Sequence, residues 1–403
     1  MVKPETQSST QWITGFEVAE AILRHKSFRE VTFKGLVPLL GHVIVTLESA
    51  DHRQRRTLEA PLFLAKLLKA AENSFVAEII NSTLAGLTGE ICLVQLSYAF
   101  AARIAARLIG LDGLEQSGTA EEAVHLLSAL VSGTRSQSDR GEPLTRRAAR
   151  DELRKCFIDG AISRRRNLLA QYQVGKLPRE ALPSDLITLL LLHNLHTKNK
   201  LETRQIAGEV AFYAVAAVDT TANLAPHLLH ELWQFTGKHP EYLPLLRDKT
   251  FLKTAAAEAL RLHPAIPTIF RQATEAVTLP NGQHFDAGQV AAVYVTDANR
   301  DTTIFGPDAS EFNPLRTVPA KIRRAGLSFG GGVHLCLGRE LALGASEFGH
   351  ATEDNDEDSL FGVTTLMAAA LLEKGARPHP DKPVAPLSPY ERNVYHHYPI
   401  LLD

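Results

Sequence analysis

Apolar positions first recur at helical spacing near the start of the chain, where Val18, Ile22 and Leu23 share a face after a short extended stretch at Trp12 and before Phe28. Residues 43–47 are rich in β-branched side chains and predict a strand. Residues 60–173 then follow a mostly amphipathic helical pattern, broken at 110–118 and again by the polar run at 133–143. Residues 202–235 are apolar with many small side chains, the pattern of a helix buried on most sides, although Pro226 favours a bend shortly after Thr220 and Thr221. Beyond Pro264 the period shortens. Residues 269–273, 276–279, 283–285 and 290–295 predict short strands around the turn Pro280-Asn281-Gly282. Helical pattern returns at 339–345, is interrupted by a dense acidic run, and resumes at 363–374. The chain reads as mostly α with a small β region.

Composition narrows the class without naming a function. The 403 residues are 45% hydrophobic and 22% charged, with a formal net charge of −2, so nothing in the overall balance calls for nucleic acid or an acidic membrane surface. Three widely spaced cysteines, Cys92, Cys156 and Cys336, fit a reducing compartment rather than a disulfide framework. The first residues lack the charged-then-apolar plan of a signal peptide, and no apolar run is long enough to span a bilayer, which leads to the expectation of a cytoplasmic protein with no membrane partner.

The chemistry concentrates at residues 327–338. Cys336 follows three consecutive glycines, Gly330, Gly331 and Gly332, and immediately precedes a helical pattern. Glycines permit close backbone approach, and the start of a helix favours a thiolate. A phosphate-binding loop is excluded, because no lysine followed by serine or threonine comes after the glycines. Asp219 and Thr220 interrupt the apolar run at 202–235, and a buried carboxylate is costly unless paired or functional. A threonine in such a helix commonly bonds back to its own backbone. His52 and Arg56 lie four residues apart on one face of a basic helix, and Glu258 and Arg261 three apart on another.

The run Phe329-Gly330-x-Gly332-x-His334-x-Cys336-x-Gly338 resembles the haem-thiolate loop of the cytochrome P-450 family. The resemblance extends in unbroken order over about residues 12–345. It takes in Ala216-Ala217-Val218-Asp219-Thr220-Thr221, similar to the oxygen-activating segment with Ala217 in place of the usual glycine. It implies the cytochrome P-450 fold in a single domain, with its N-terminal helix and first strands shortened. The α-rich portion would cover about 50–262 and 336–375, and the β-rich portion about 12–47, 265–300 and 385–403. It also implies haem b as cofactor, with Cys336 as the iron ligand and Phe329 and Gly338 in the loop that cradles it. His52, Arg56, Arg271 and His334 would hold the propionates, Asp219 and Thr220 would deliver protons, and Glu258, Arg261 and Arg316 would form a structural Glu-Arg-Arg cluster.

The activity implied is monooxygenation of an organic substrate, of secondary metabolism or carrier-bound, with electrons from a separate ferredoxin or flavodoxin. Arg53, Arg55, Arg323, Arg324 and Arg339 would form the basic dock for that partner. Family members that use peroxide, nitric oxide or radical coupling, and non-catalytic haem sensors, share the same loop. Substrate walls are expected at 36–43, 211–219, 265–270 and 390–395, and the short N-terminus implies an open substrate entrance. Residues 347–361 read as an acidic insertion in a helix that the family continues without interruption.

Overall fold

The computed structural model describes residues 10–114, 117–131, 143–345, 359–382, 384 and 394–403; most of the polar run at 133–143 and of the acidic insertion lies outside these. The elements used below are, in chain order, strand β1 (Thr10–Ile13), helix α1 (Phe16–Arg24), β2 (Phe28–Glu30), α2 (Ser49–Glu59), β3 (Gly89–Cys92), α3 (Leu93–Ile109), α4 (Thr203–Lys238), α5 (Lys249–Leu262), β4 (Thr268–Ala273), β5 (Val277–Thr278), β6 (His284–Phe285), β7 (Val290–Tyr294), α6 (Arg339–Leu343), α7 (Val363–Glu373), β8 (Arg377–Pro378) and β9 (Pro399–Leu402). Most of the remaining structure is helical, as the periodicity predicts.

The chain divides into two compact units: one comprises residues 1–32, 80–97 and 221–403, and the other residues 33–79 and 98–220. All the strands among the described residues belong to the first. Its largest sheet has the order β1-β7-β4-β2, with β1 parallel to β7 and the other pairs antiparallel. Phe16, Ala19, Ile22 and Leu23 of α1 bury against Ile269, Ala291 and Val293 of this sheet in one apolar core. A second sheet, β3-β9-β8, uses Gly89–Cys92, a strand that the pattern of the sequence does not reveal.

The second unit is helical. The strand expected at 43–47 is instead a turn of 3-10 helix, Ile44–Thr46. The reason is where its backbone groups go: the Val43 N–H donates to Thr46 Oγ1 at 3.0 Å, and the Ile44 N–H to Glu209 Oε1 at 2.9 Å. Those donors, satisfied by side chains, are lost to any sheet ladder. Helix α4 continues through Pro226 to Lys238 without ending. At Gly208 it meets the preceding chain so closely that a Cβ would lie 2.1 Å from the Leu40 carbonyl oxygen.

Candidate haem-thiolate site

In the first unit, the cysteine loop is built from the backbone upward. The Cys336 N–H donates to the Phe329 carbonyl at 3.0 Å, closing the loop, and the Gly330 N–H donates to the Leu327 carbonyl at 2.8 Å. Gly330 and Gly332 take φ of 70° and 64°, left-handed values that favour glycine. A Cβ on Gly332 would lie 2.4 Å from the Leu23 carbonyl oxygen, so α1 and the loop meet backbone to backbone. The loop ends at Gly338, which precedes α6 and accepts from the Ala342 N–H at 3.0 Å. Leu327 and Gly330 are buried, whereas Cys336 is exposed and His334 partly so.

Behind the loop, Glu258 and Arg261 meet on α5 as a bidentate pair, with Arg261 Nη2 and Nε donating to Glu258 Oε1 and Oε2 at 2.6 and 2.7 Å. Arg316 Nε donates to the same Oε1 at 3.0 Å, so the three expected residues do meet. Arg261 is fully buried and also donates to the carbonyls of Asn299 and Ala309, each at 2.6 Å. The link to the loop is Asn299, whose Nδ2 donates to the Arg261 carbonyl at 3.0 Å while its Oδ1 accepts from the Leu327 N–H at 2.8 Å. Ser328 Oγ adds a bond to the Leu260 carbonyl at 2.8 Å. Helix α5 therefore sets the height of the loop through satisfied polar contacts.

Arg271, on β4, pairs in register with Glu30 on β2, and its Nη1 lies 3.3 Å from Glu30 Oε1. A buried guanidinium is thus already part-compensated by a carboxylate 241 residues away, a partner that sequence reasoning did not supply.

In the second unit, His52 and Arg56 lie four residues apart on α2, His52 buried and Arg56 partly exposed. Between them, Arg55 is buried against Glu209 of α4 in direct ion-pair contact, with Glu59 Oε1 3.8 Å from its Nε. Arg55 is therefore no part of a surface dock: two buried carboxylates hold it inside. Tyr213 OH donates to Glu59 Oε2 at 2.8 Å. Burial, followed by repulsion from Glu209, pushes the Glu59 carboxyl up to about 9, so it is neutral near pH 7.

On α4, Thr220 Oγ1 donates to the Ala216 carbonyl at 2.7 Å. Asp219 is buried and its Oδ1 accepts from Tyr98 OH on α3 at 2.9 Å. Nothing in the local pattern around Tyr98 marks it; a polar tip at the margin of an apolar helix face was the available signal.

The exposed Cys336 on a glycine-built loop supplies the soft thiolate donor that haem iron takes, and buried Arg271 with partly exposed His334 supplies cationic and donor groups of the kind that meet carboxylates, so the residues present fit a haem-thiolate protein. Comparison with known proteins agrees. A family model described as Cytochrome P450 matches residues 6–347, and the chain belongs to that family, whose prosthetic group is haem b. Cytochrome P450 4F2 of Homo sapiens is 29% identical over 215 residues, covering 46% of this chain and only 40% of that protein. The biotin biosynthesis cytochrome P450 of Bacillus subtilis (strain 168) is 25% identical over 344 residues, 82% of this chain and 79% of that one. The crystal structure of P450BioI in complex with an acyl carrier protein ligated to hexadec-9Z-enoic acid matches with a TM-score of 0.72 at 19% identity, covering 97% of this chain and 92% of that chain, a likeness of fold.

Proposed function

We propose that the chain is a haem-thiolate monooxygenase that places one oxygen atom of O₂ in an organic substrate and releases the other as water, consuming two electrons and two protons. The observation that carries this reading is Cys336, exposed on a loop closed by its own N–H to the Phe329 carbonyl and anchored to α5 through Asn299. Bound haem would supply dioxygen binding and O–O cleavage, which thiolate donation favours. Cys336 would hold the iron, and His52, Arg56, Arg271 and His334 the propionates. Asp219 would hold and release protons, with Thr220 offering its hydroxyl oxygen as an acceptor while its proton is engaged by Ala216.

The electrons would come from a redox partner, a ferredoxin or flavodoxin, a reading supported by membership of a family that needs one. A carrier-bound or otherwise bulky apolar substrate is supported by the likeness to P450BioI with its acyl carrier protein, and by the apolar character of residues 36–43 and 211–218. One observation favours a second reading, peroxide-driven chemistry: the Thr220 hydroxyl proton is already committed to its own helix. Turnover with O₂ and a reductase against turnover with peroxide alone separates the two.

The test of the common core is the carbon monoxide difference spectrum. The reduced protein is expected to show the strongly red-shifted Soret band of thiolate ligation, and Cys336→Ala is expected to abolish it. A band that survives the substitution, or that depends on Cys92 or Cys156, removes Cys336 from its role.

A further inference from the structure

Asp219 is a buried carboxylate, and each proton that it gives up must be replaced from outside. Its neighbour Thr220 directs its hydroxyl proton at the Ala216 carbonyl one turn back. Tyr98 stands differently. Its phenol donates to Asp219 Oδ1 at 2.9 Å, and the residue is partly exposed on α3. A partly exposed residue thus holds its hydroxyl on the buried acid. A phenol both donates and accepts, so it can pass a proton to the carboxylate as it takes one from water, with no net change in its own state.

We propose that Tyr98 is the positioning residue and proton port of Asp219. It fixes the orientation of the carboxylate and restores its proton after each release. The step balances: one proton arrives at the phenol oxygen from solvent, the phenol O–H proton moves to Asp219, and the O–H bond of Tyr98 is remade. This inference rests on the monooxygenase reading, in which Asp219 serves the reaction. The hydrogen bond itself stands apart from that reading.

The test uses full-length haem-loaded protein with Tyr98→Phe, with 3-fluorotyrosine at position 98, and with Asp219→Asn as the spectral reference. Infrared difference spectra locate the Asp219 carboxyl band. Loss of the phenol is expected to shift that band, and the fluorinated phenol to retain the bonded position. In turnover with O₂, Tyr98→Phe is expected to lower product formed per electron about tenfold, the scale of losing one hydrogen bond to a charged group, and to raise the solvent deuterium isotope effect. The fluorinated phenol should restore coupling, because a purely steric role would be filled equally well by phenylalanine. An unshifted band in Tyr98→Phe, unchanged coupling and isotope effect, or a loss that the fluorinated phenol does not rescue overturns the proposal. Absence of the thiolate Soret band in the unaltered protein would instead overturn the haem reading, and the infrared arm would still report on the bond.

Discussion

At the residue scale, the most consequential surprise is the buried group Arg55, Glu59, Glu209 and Tyr213, which places two carboxylates around one guanidinium. Burial pushes the Glu209 carboxyl up to about 7, but the ion-pair contact with Arg55 and the Ile44 N–H oppose that rise, so Glu209 gives up its proton before Glu59. Glu59, whose Oε1 has only the long 3.8 Å approach of Arg55 and no hydrogen-bond partner among the described residues, keeps the proton. The sign of the pH dependence follows. The folded-state pKa of Glu59, about 9, lies above its ordinary value of 4.5, so within that window the folded chain holds a proton that the unfolded chain has released. Stability from this group is therefore greatest below the lower value and falls as pH rises through the upper one. Glu59→Gln keeps an acceptor for Tyr213 and removes the titration. Its stability relative to the unaltered protein should climb between about pH 5 and pH 9, by at most ~1.4 kcal/mol per unit. Denaturant melts at several pH values measure this, and parallel curves for the two proteins would mean that Glu59 is ionised in the fold.

At the element scale, glycine decides how the helix after the cysteine is broken. Gly344 ends α6 and Gly362 precedes α7, with φ of 81° and 82°, and a Cβ on Gly362 would lie 2.4 Å from the Gly344 nitrogen. The Ala345 N–H donates to the Leu360 carbonyl at 3.1 Å, so the two ends of the interruption meet. Replacing residues 347–358 by a four-residue glycine-serine linker should therefore leave the melting temperature within about 2 °C and the thiolate Soret band unchanged, since closing a shorter loop costs little. A large fall in either would show that the acidic segment supports the cysteine loop. The failed strand at 43–47 teaches the complementary lesson: β-branched residues favour a strand only where a ladder accepts their backbone groups, and here Thr46 and Glu209 take them first.

At the scale of the whole molecule, a cofactor that binds only the folded chain adds to its stability by mass action. Haem at about a thousand times its dissociation constant contributes roughly 4 kcal/mol, and the loaded protein should melt about 5 °C above the haem-free chain. Calorimetry of both forms checks this, and coincident melts would mean that folding and haem binding are not linked. The helical architecture, the small β region after Pro264 and the cysteine loop were all legible in the sequence. Their signals are local: apolar period, turn residues, and glycines beside a cysteine. Glu258 and Arg261 were legible too, because i and i+3 face each other on any helix. What only the tertiary structure decided are the partners brought from afar: Asn299 between α5 and the loop, Glu30 beside Arg271, Glu209 on Arg55, and Tyr98 on Asp219. The physical reason is that a buried polar group takes whichever complementary atom packing delivers, and a chain separation of 121 residues between Tyr98 and Asp219 leaves no periodicity to read.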